Sequence, residues 1–211
     1  MRFLRSSLVL GALLTITLPA AAQTKAAEGP WMIRLRALSL TPANQSDAIP
    51  SLGVAADKIT INSKIFPEVD ISYFFAPHFA AELVLTYPQK QDVKLNGNKI
   101  GTFYHLPPSL LAQYHFLPAG VVRPYVGVGV NATLIMKDKI AVPGVGALTL
   151  DDFSLGVAGQ VGADVQVRPG QFINFDVKKV TIGSDVKSAG TTVSKVKVDP
   201  WLLSVGYGFR F

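Results

Sequence analysis

The chain has 211 residues, 49% of them hydrophobic and 16% charged, with no cysteine and a formal net charge of +6. That length suits one domain, the lack of cysteine excludes a disulfide framework, and the small, dispersed positive excess gives no argument for nucleic acid. Beyond the N-terminus no stretch approaches the roughly 20 consecutive apolar residues that a spanning helix needs.

The N-terminus reads as an export signal. Arg2 and Arg5 precede an apolar run from Leu8 to Leu18, and Ala20-Ala21-Ala22 before Gln23 forms a small-x-small cleavage site. This predicts a signal peptide over 1–22 and a mature domain over 23–211. Losing the two arginines lowers the formal charge from +6 to +4, for which an anionic lipid surface is the natural counterpart. An exported, apolar chain without a spanning helix crosses a membrane as a closed β-barrel, in which every backbone group finds a partner.

The rest of the chain alternates with a period of two. Trp31, Ile33, Leu35 and Ala37 oppose Met32, Arg34, Arg36, Leu38 and Leu40, so a first strand rises into a polar loop with Pro42, Asn44, Pro50 and Gly53. A second strand descends through Val69, Ile71, Tyr73 and Phe75 to a tight turn at Ala76-Pro77-His78, and a third returns through Ala81, Leu83, Leu85 and Tyr87. The loop from Pro88 to Tyr104 carries Asn96-Gly97, a hairpin-tip signal. Strand four runs from Pro108 to Phe116 and turns at Pro118-Ala119-Gly120, and strand five runs from Pro124 to Leu134 toward a loop near Gly144 and Gly146. Strand six runs from Phe153 to Val165 and turns at Arg168-Pro169-Gly170, and strand seven spans Phe172 to Ile182.

Strand eight sets Trp201, Leu203, Val205, Tyr207, Phe209 and Phe211 against Leu202, Ser204, Gly206, Gly208 and Arg210 and stops on the last residue. It looks like the closing strand of a bacterial outer-membrane barrel, with Phe211 the terminal aromatic offered to the barrel-assembly machinery. Long loops alternating with short turns predict an all-β fold, an eight-stranded antiparallel up-and-down transmembrane β-barrel with long extracellular loops and short periplasmic turns. A soluble lipocalin-like barrel would point its greasy face inward, whereas here the other face is rich in Gly, Ser and Gln.

The segment His105-Leu106-Pro107-Pro108-Ser109-Leu110-Leu111-Ala112-Gln113-Tyr114-His115-Phe116 resembles the OmpW family, as do Arg123-Pro124-Tyr125-Val126-Gly127-Val128-Gly129-Val130-Asn131 and Ser154-Leu155-Gly156 through Gly162-Ala163-Asp164. The resemblance runs from Trp31 to Phe211 and departs at Val165, where the family often has an aromatic. It implies a barrel in the outer membrane of a Gram-negative cell, with a narrow hydrophobic lumen that passes small apolar molecules.

Strand parity gives the inward residues approximate heights. Arg34, Arg36, Glu68, Asp70, Glu82, Asp164, Asp176, Lys178 and Arg210 fall in the lower or middle lumen, where opposite charges on neighbouring strands should pair into a plug. The upper inward positions are Leu38, Leu40, Phe66, Leu111, Val180, Ile182 and Leu202, an apolar funnel where a porin would be polar. Either these residues pack under the loops or they bind apolar solutes. Pro107 and Pro108 interrupt the ladder near the outer surface, because proline cannot donate to it. They either start a strand after a loop or leave a lateral gap through which a solute reaches the membrane.

Candidate chemistry is thin. His105 lies near the outer rim and Ser109 is close in sequence, but neighbours on one strand do not converge as nucleophile, base and orienter. Three scattered histidines without cysteine offer no metal-ligand spacing. Gly127-x-Gly129 and Gly206-x-Gly208 sit inside strands with no helix following and are not phosphate loops. Neither an enzyme nor a cofactor is expected. Lysines in the long loops, among them Lys58, Lys90, Lys94 and Lys99, either form a solvated surface or meet lipopolysaccharide phosphates. Trp31, Tyr73, Tyr87, Trp201 and Tyr207 suit the interfacial aromatic girdles. The expected function is a passive conduit for small hydrophobic molecules. The alternative is a structural or interaction barrel whose loops bind lipopolysaccharide, phage or protein.

Overall fold

The structure, a computed structural model, describes residues 28–50, 53–142 and 146–211; the expected signal peptide and the start of the mature chain lie outside them. The chain forms β1 (Trp31–Thr41), β2 (Gln45–Ser46), β3 (Ile59–Ile61), β4 (Lys64–Ala76), β5 (Phe79–Leu85), β6 (Gln89–Leu95), β7 (Asn98–Leu106) and β8 (Ser109–His115). These are followed by β9 (Val122–Val142), β10 (Gly146–Leu150), β11 (Phe153–Arg168), β12 (Gln171–Val180), β13 (Gly183–Ser188), β14 (Thr191–Lys197) and β15 (Trp201–Arg210).

Successive antiparallel pairing of β1, β4, β5, β8, β9, β11, β12 and β15 closes into a barrel when β15 returns to β1, with Leu35 opposite Tyr207. Closure removes the free edges that an apolar sheet could not tolerate in lipid. The alternation read from the sequence is the in-out alternation of the wall. Leu35, Ile65, Leu110, Phe175 and Leu203 face outward, and Val128 and Leu155 are each 70% exposed. An apolar belt of that extent is what a bilayer covers. Trp31 and Tyr73 pack with tilted rings near the short-turn end, centroids 4.8 Å apart, while Tyr87 and Trp201 are exposed toward the long-loop end. Tyr207 is part-buried in the wall and donates its hydroxyl to Gln171 Oε1 at 2.7 Å.

The long loops hold more order than their polar sequence suggests. β6 and β7 form a hairpin, as do β13 and β14, and β9 continues beyond the apolar belt to pair with both β7 and β10. The Asn96-Gly97 tip adopts positive φ at both residues, 50° and 83°, as a two-residue hairpin turn requires. These hairpins carry the wall upward and enclose a large apolar cluster, while a smaller one of Met32, Phe74, Ala80 and Phe172 sits at the short-turn end.

Candidate functional site in the barrel lumen

The even-numbered residues of β1 point inward, and two of them organise the middle of the lumen. Arg34 is fully buried: its Nε and Nη2 donate to the two carboxylate oxygens of Asp164 on β11 at 3.0 and 2.6 Å. Its Nη1 reaches Glu82 on β5 at 2.9 Å and Ser72 on β4 at 2.7 Å. One turn of the pleat higher, Arg36 sets Nε 2.8 Å from Asp70 and Nη1 3.3 Å from Glu68 and 3.7 Å from Asp176. Lys178 on β12 completes the layer, 3.1 Å from Glu68 and 2.8 Å from Asp176.

These three cations and five carboxylates are all buried. Uncharged neighbours take up remaining hydrogen-bonding capacity: the Tyr125 hydroxyl donates to Asp176 at 2.8 Å, Gln160 donates to Glu82 at 3.1 Å and Asn174 donates to Asp164 at 2.8 Å. Desolvating so many charges is costly, and only this density of partners offsets it. Gly162 makes room for the network, since a Cβ there would lie 2.4 Å from the Tyr125 ring and hydroxyl.

Arg210 does not join this layer. It lies opposite Met32 at the bottom rim, a strand position below Arg34, and its guanidinium covers the Phe74 ring at 3.8 Å while reaching Glu28 at 3.3 Å. Arg123 does the same on the other side, 4.6 Å over Phe172 and 2.5 Å from Glu28. The lumen is therefore stoppered twice, by an arginine-capped aromatic layer below and the ionic layer above.

Above the charges the lumen turns apolar. Leu38, Leu40, Phe66, Val180, Ile182 and Leu202 line a lower chamber, and Leu111 is buried in the same cluster. The loop hairpins add an upper chamber walled by Ile59, Val93, Phe103, Ile140, Val186 and Val196, with Ile182 common to both. The upper chamber has about 670 Å³ of empty space, open mouth included. It is a narrow, mostly apolar slot.

The wall is interrupted beside these chambers. β5 pairs with β8 up to Val84 opposite Ser109, and β6 pairs with β7 from Gln89 opposite His105. Between those pairs Thr86, Tyr87 and Pro88 face Pro107 and Pro108 outside any strand. Thr86 and Pro107 also line the lower chamber, so the break adjoins it. The other flank stays shut: Ala132 donates to the Pro108 carbonyl at 3.0 Å, and the Asn131 amide donates to the Pro107 and Pro108 carbonyls and to Ser109 Oγ.

His105 faces the upper chamber rather than the lipid, with Nε2 3.1 Å from Gln91 Nε2. It is on the inward parity of β7, whereas the sequence alone suggests only a place near the outer rim. His115 is buried beside Tyr125, ring centroids 5.1 Å apart, and His78 meets the His115 carbonyl at 2.7 Å. Sequence reasoning did not select Ser72, Tyr125, Gln160 and Asn174 for the ionic layer, nor the hairpin residues of the upper chamber. The alternation continues through Gln89, Gln91 and Val93, and could have been followed past the apolar belt.

A closed antiparallel barrel with an outward apolar belt and a filled lumen defines an outer-membrane β-barrel protein. The OmpW family model matches residues 27–211, and the chain belongs to the OmpW family. It is similar to the outer-membrane protein y4mB of Sinorhizobium fredii, 36% identical over 200 residues covering 92% of this chain and 85% of that one. It is 30% identical to outer membrane protein W of Escherichia coli, over 84% of this chain and 87% of the relative. Among solved structures, OprG from Pseudomonas aeruginosa superposes with a TM-score of 0.75 at 27% identity, covering 87% of this chain and 97% of OprG. The protein is thus an outer-membrane barrel of OmpW type, with its long loops extracellular and its short turns periplasmic.

Proposed function

We propose that this barrel is a passive conduit that takes small hydrophobic molecules from outside the cell and releases them sideways into the outer membrane. One observation carries the reading: the apolar chambers stand above a sealed ionic layer and beside the break at Pro107 and Pro108. A solute entering from the loops meets apolar surface, is stopped by buried charge, and has the unpaired stretch of wall as its way out. Neither a cofactor nor a catalytic step enters. His105 is engaged with Gln91, and Ser109 accepts from Asn131.

The exposed lysines Lys90, Lys94, Lys99, Lys137 and Lys139 on the extracellular strands and their connections favour a second role, contact with lipopolysaccharide phosphates by charge attraction. In this reading Phe211, 62% exposed beyond the last strand, is the residue read by the barrel-assembly machinery.

Uptake by cells with and without the protein tests the conduit, comparing a labelled sparingly soluble hydrocarbon with a labelled polar sugar of similar size. Faster hydrocarbon entry alone is the expected result. Equal rates for both solutes in both strains would leave the lipopolysaccharide-binding barrel as the better account.

A further inference from the structure

The seam between the two chambers is not apolar. Gln91, His105, Thr133 and Ser184 are the polar residues lining the upper chamber, and Thr86, Ser109 and Asn131 are among those lining the lower one. Several of these groups satisfy one another: Thr133 donates to Asn131 at 2.6 Å, and Asn131 donates to Ser109 at 2.9 Å. Others do not. Among the described residues, Gln91 Oε1, Gln89 Oε1 and Thr86 Oγ1 are buried without a hydrogen-bonding partner in the protein. Gln91 is 1% exposed and Gln89 fully buried, so neither orphan is relieved by bulk solvent.

A buried polar atom left without a partner costs about 1–3 kcal/mol, which makes three in one belt a feature to be explained. The three atoms belong to one course of chain, Thr86 to Gln91: Thr86 stands in the break opposite Pro107 and Pro108, and Gln89 and Gln91 follow on β6, where pairing with β7 resumes. Gln91 lines the upper chamber and Thr86 the lower one beside the gap. Turning the Gln91 amide over does not remove the mismatch. His105 Nε2 engages only one end of the amide, so the other end is left as a spare acceptor in one orientation and a spare donor in the other. A hydroxyl, which both donates and accepts, fits either. No Asp, Glu, Lys or Arg is among the residues lining the upper chamber, so nothing there would compensate an ionised head group.

Building on the conduit reading above, we infer that the preferred cargo is a slender neutral amphiphile, an apolar chain bearing a single hydroxyl, whose head hydrogen-bonds at Gln91 in the upper chamber and next at Thr86 beside the gap. A pure hydrocarbon passes through the same slot without that hold.

The test uses the full-length barrel in cells, and protein-dependent uptake of labelled 1-decanol is compared with that of labelled decane for the wild type and Gln91→Met, at matched surface levels of heat-modifiable, folded barrel. The wild type should carry decanol about threefold to tenfold faster than decane, the range expected for one neutral hydrogen bond. Gln91→Met should bring that ratio to about one, whatever the absolute rate at which the variant carries decane. If both solutes are carried and the ratio is the same in the two proteins, the hydroxyl preference is overturned and the conduit stands. If neither is carried, the conduit itself fails. The site is then judged by the Gln91 side-chain amide resonance of the barrel in lipid nanodiscs: a shift with decanol but not decane upholds it, and no shift overturns it.

Discussion

Arg34 and Asp164 clasp each other across the lumen through two hydrogen bonds, at 3.0 and 2.6 Å, although 130 residues separate them in the chain. Removing one partner strands a charge where water cannot reach it. Asp164→Ala is expected to destabilise the barrel by about 3–5 kcal/mol, read as a lower urea midpoint in lipid bilayers. Combining Arg34→Met with Asp164→Leu and Glu82→Gln should recover much of that loss, because the two carboxylates that faced Arg34 are then neutralised along with it.

The two stoppers can be separated by conductance. Replacing Arg36, Glu68 and Lys178 with alanine should leave single-channel conductance in planar bilayers near the wild-type level, because Phe74, Phe172, Arg123 and Arg210 still close the periplasmic end. Adding Phe74→Ala and Phe172→Ala should produce a measurable ion current. A current from the first set alone would place the seal entirely in the ionic layer.

Pro107 and Pro108 hold the wall apart by withholding donors. Pro107→Val with Pro108→Thr should extend the ladder from Ser109 toward His105 and reduce hydrocarbon uptake toward that of cells lacking the protein. Unchanged uptake in this variant, with the barrel folded, would count against lateral exit.

Gly162 stands where Tyr125 needs space. Gly162→Ala should push the ring aside, loosen its hydrogen bond to Asp176 and cost about 1–3 kcal/mol in the same urea assay. Gly159, beside which nothing lies within 4 Å, is the control: Gly159→Ala should leave the midpoint nearly unchanged.

Asp151 clasps the extracellular hairpins, 2.5 Å from Lys187 and accepting from the Asp185 amide at 3.2 Å. The hydrogen bond from Lys187 holds its carboxyl below the ordinary aspartate value. The stabilisation from this carboxylate is therefore complete above that ordinary value and is lost as pH falls through the lower, folded one. The pair is part exposed, so solvent screens the interaction and the effect is small. Hydrogen exchange at the Asp185 amide, corrected for intrinsic rate, should be faster in acid than at neutral pH, and Asp151→Asn should abolish the difference.

The wall was readable because a barrel strand obeys a strict period of two: parity alone put Arg34, Glu82, Asp164 and Lys178 inside and Leu35 and Leu203 outside. Partnership was not readable. Which carboxylate Arg34 takes depends on strand tilt and stagger, which bring β11 opposite β1, and no local pattern encodes that. Arg210 shows the same limit, since its parity is inward but one pleat of height moves it from the ionic layer to the aromatic one. The upper chamber was hidden for another reason. Its apolar residues alternate with lysines in hairpins that protrude beyond the membrane, where polarity reads as loop.

The length of the Arg34 to Asp164 contact also orders events as the chain folds. β1 can pair with β4 early, bringing Arg36 to Asp70 and Glu68, but Arg34 has to wait for β11, and β1 finds its other neighbour only when β15 arrives. Contacts of such sequence separation form late and slowly. The ionic layer therefore contributes little to starting assembly, and becomes complete only as the last strand seats beside the first.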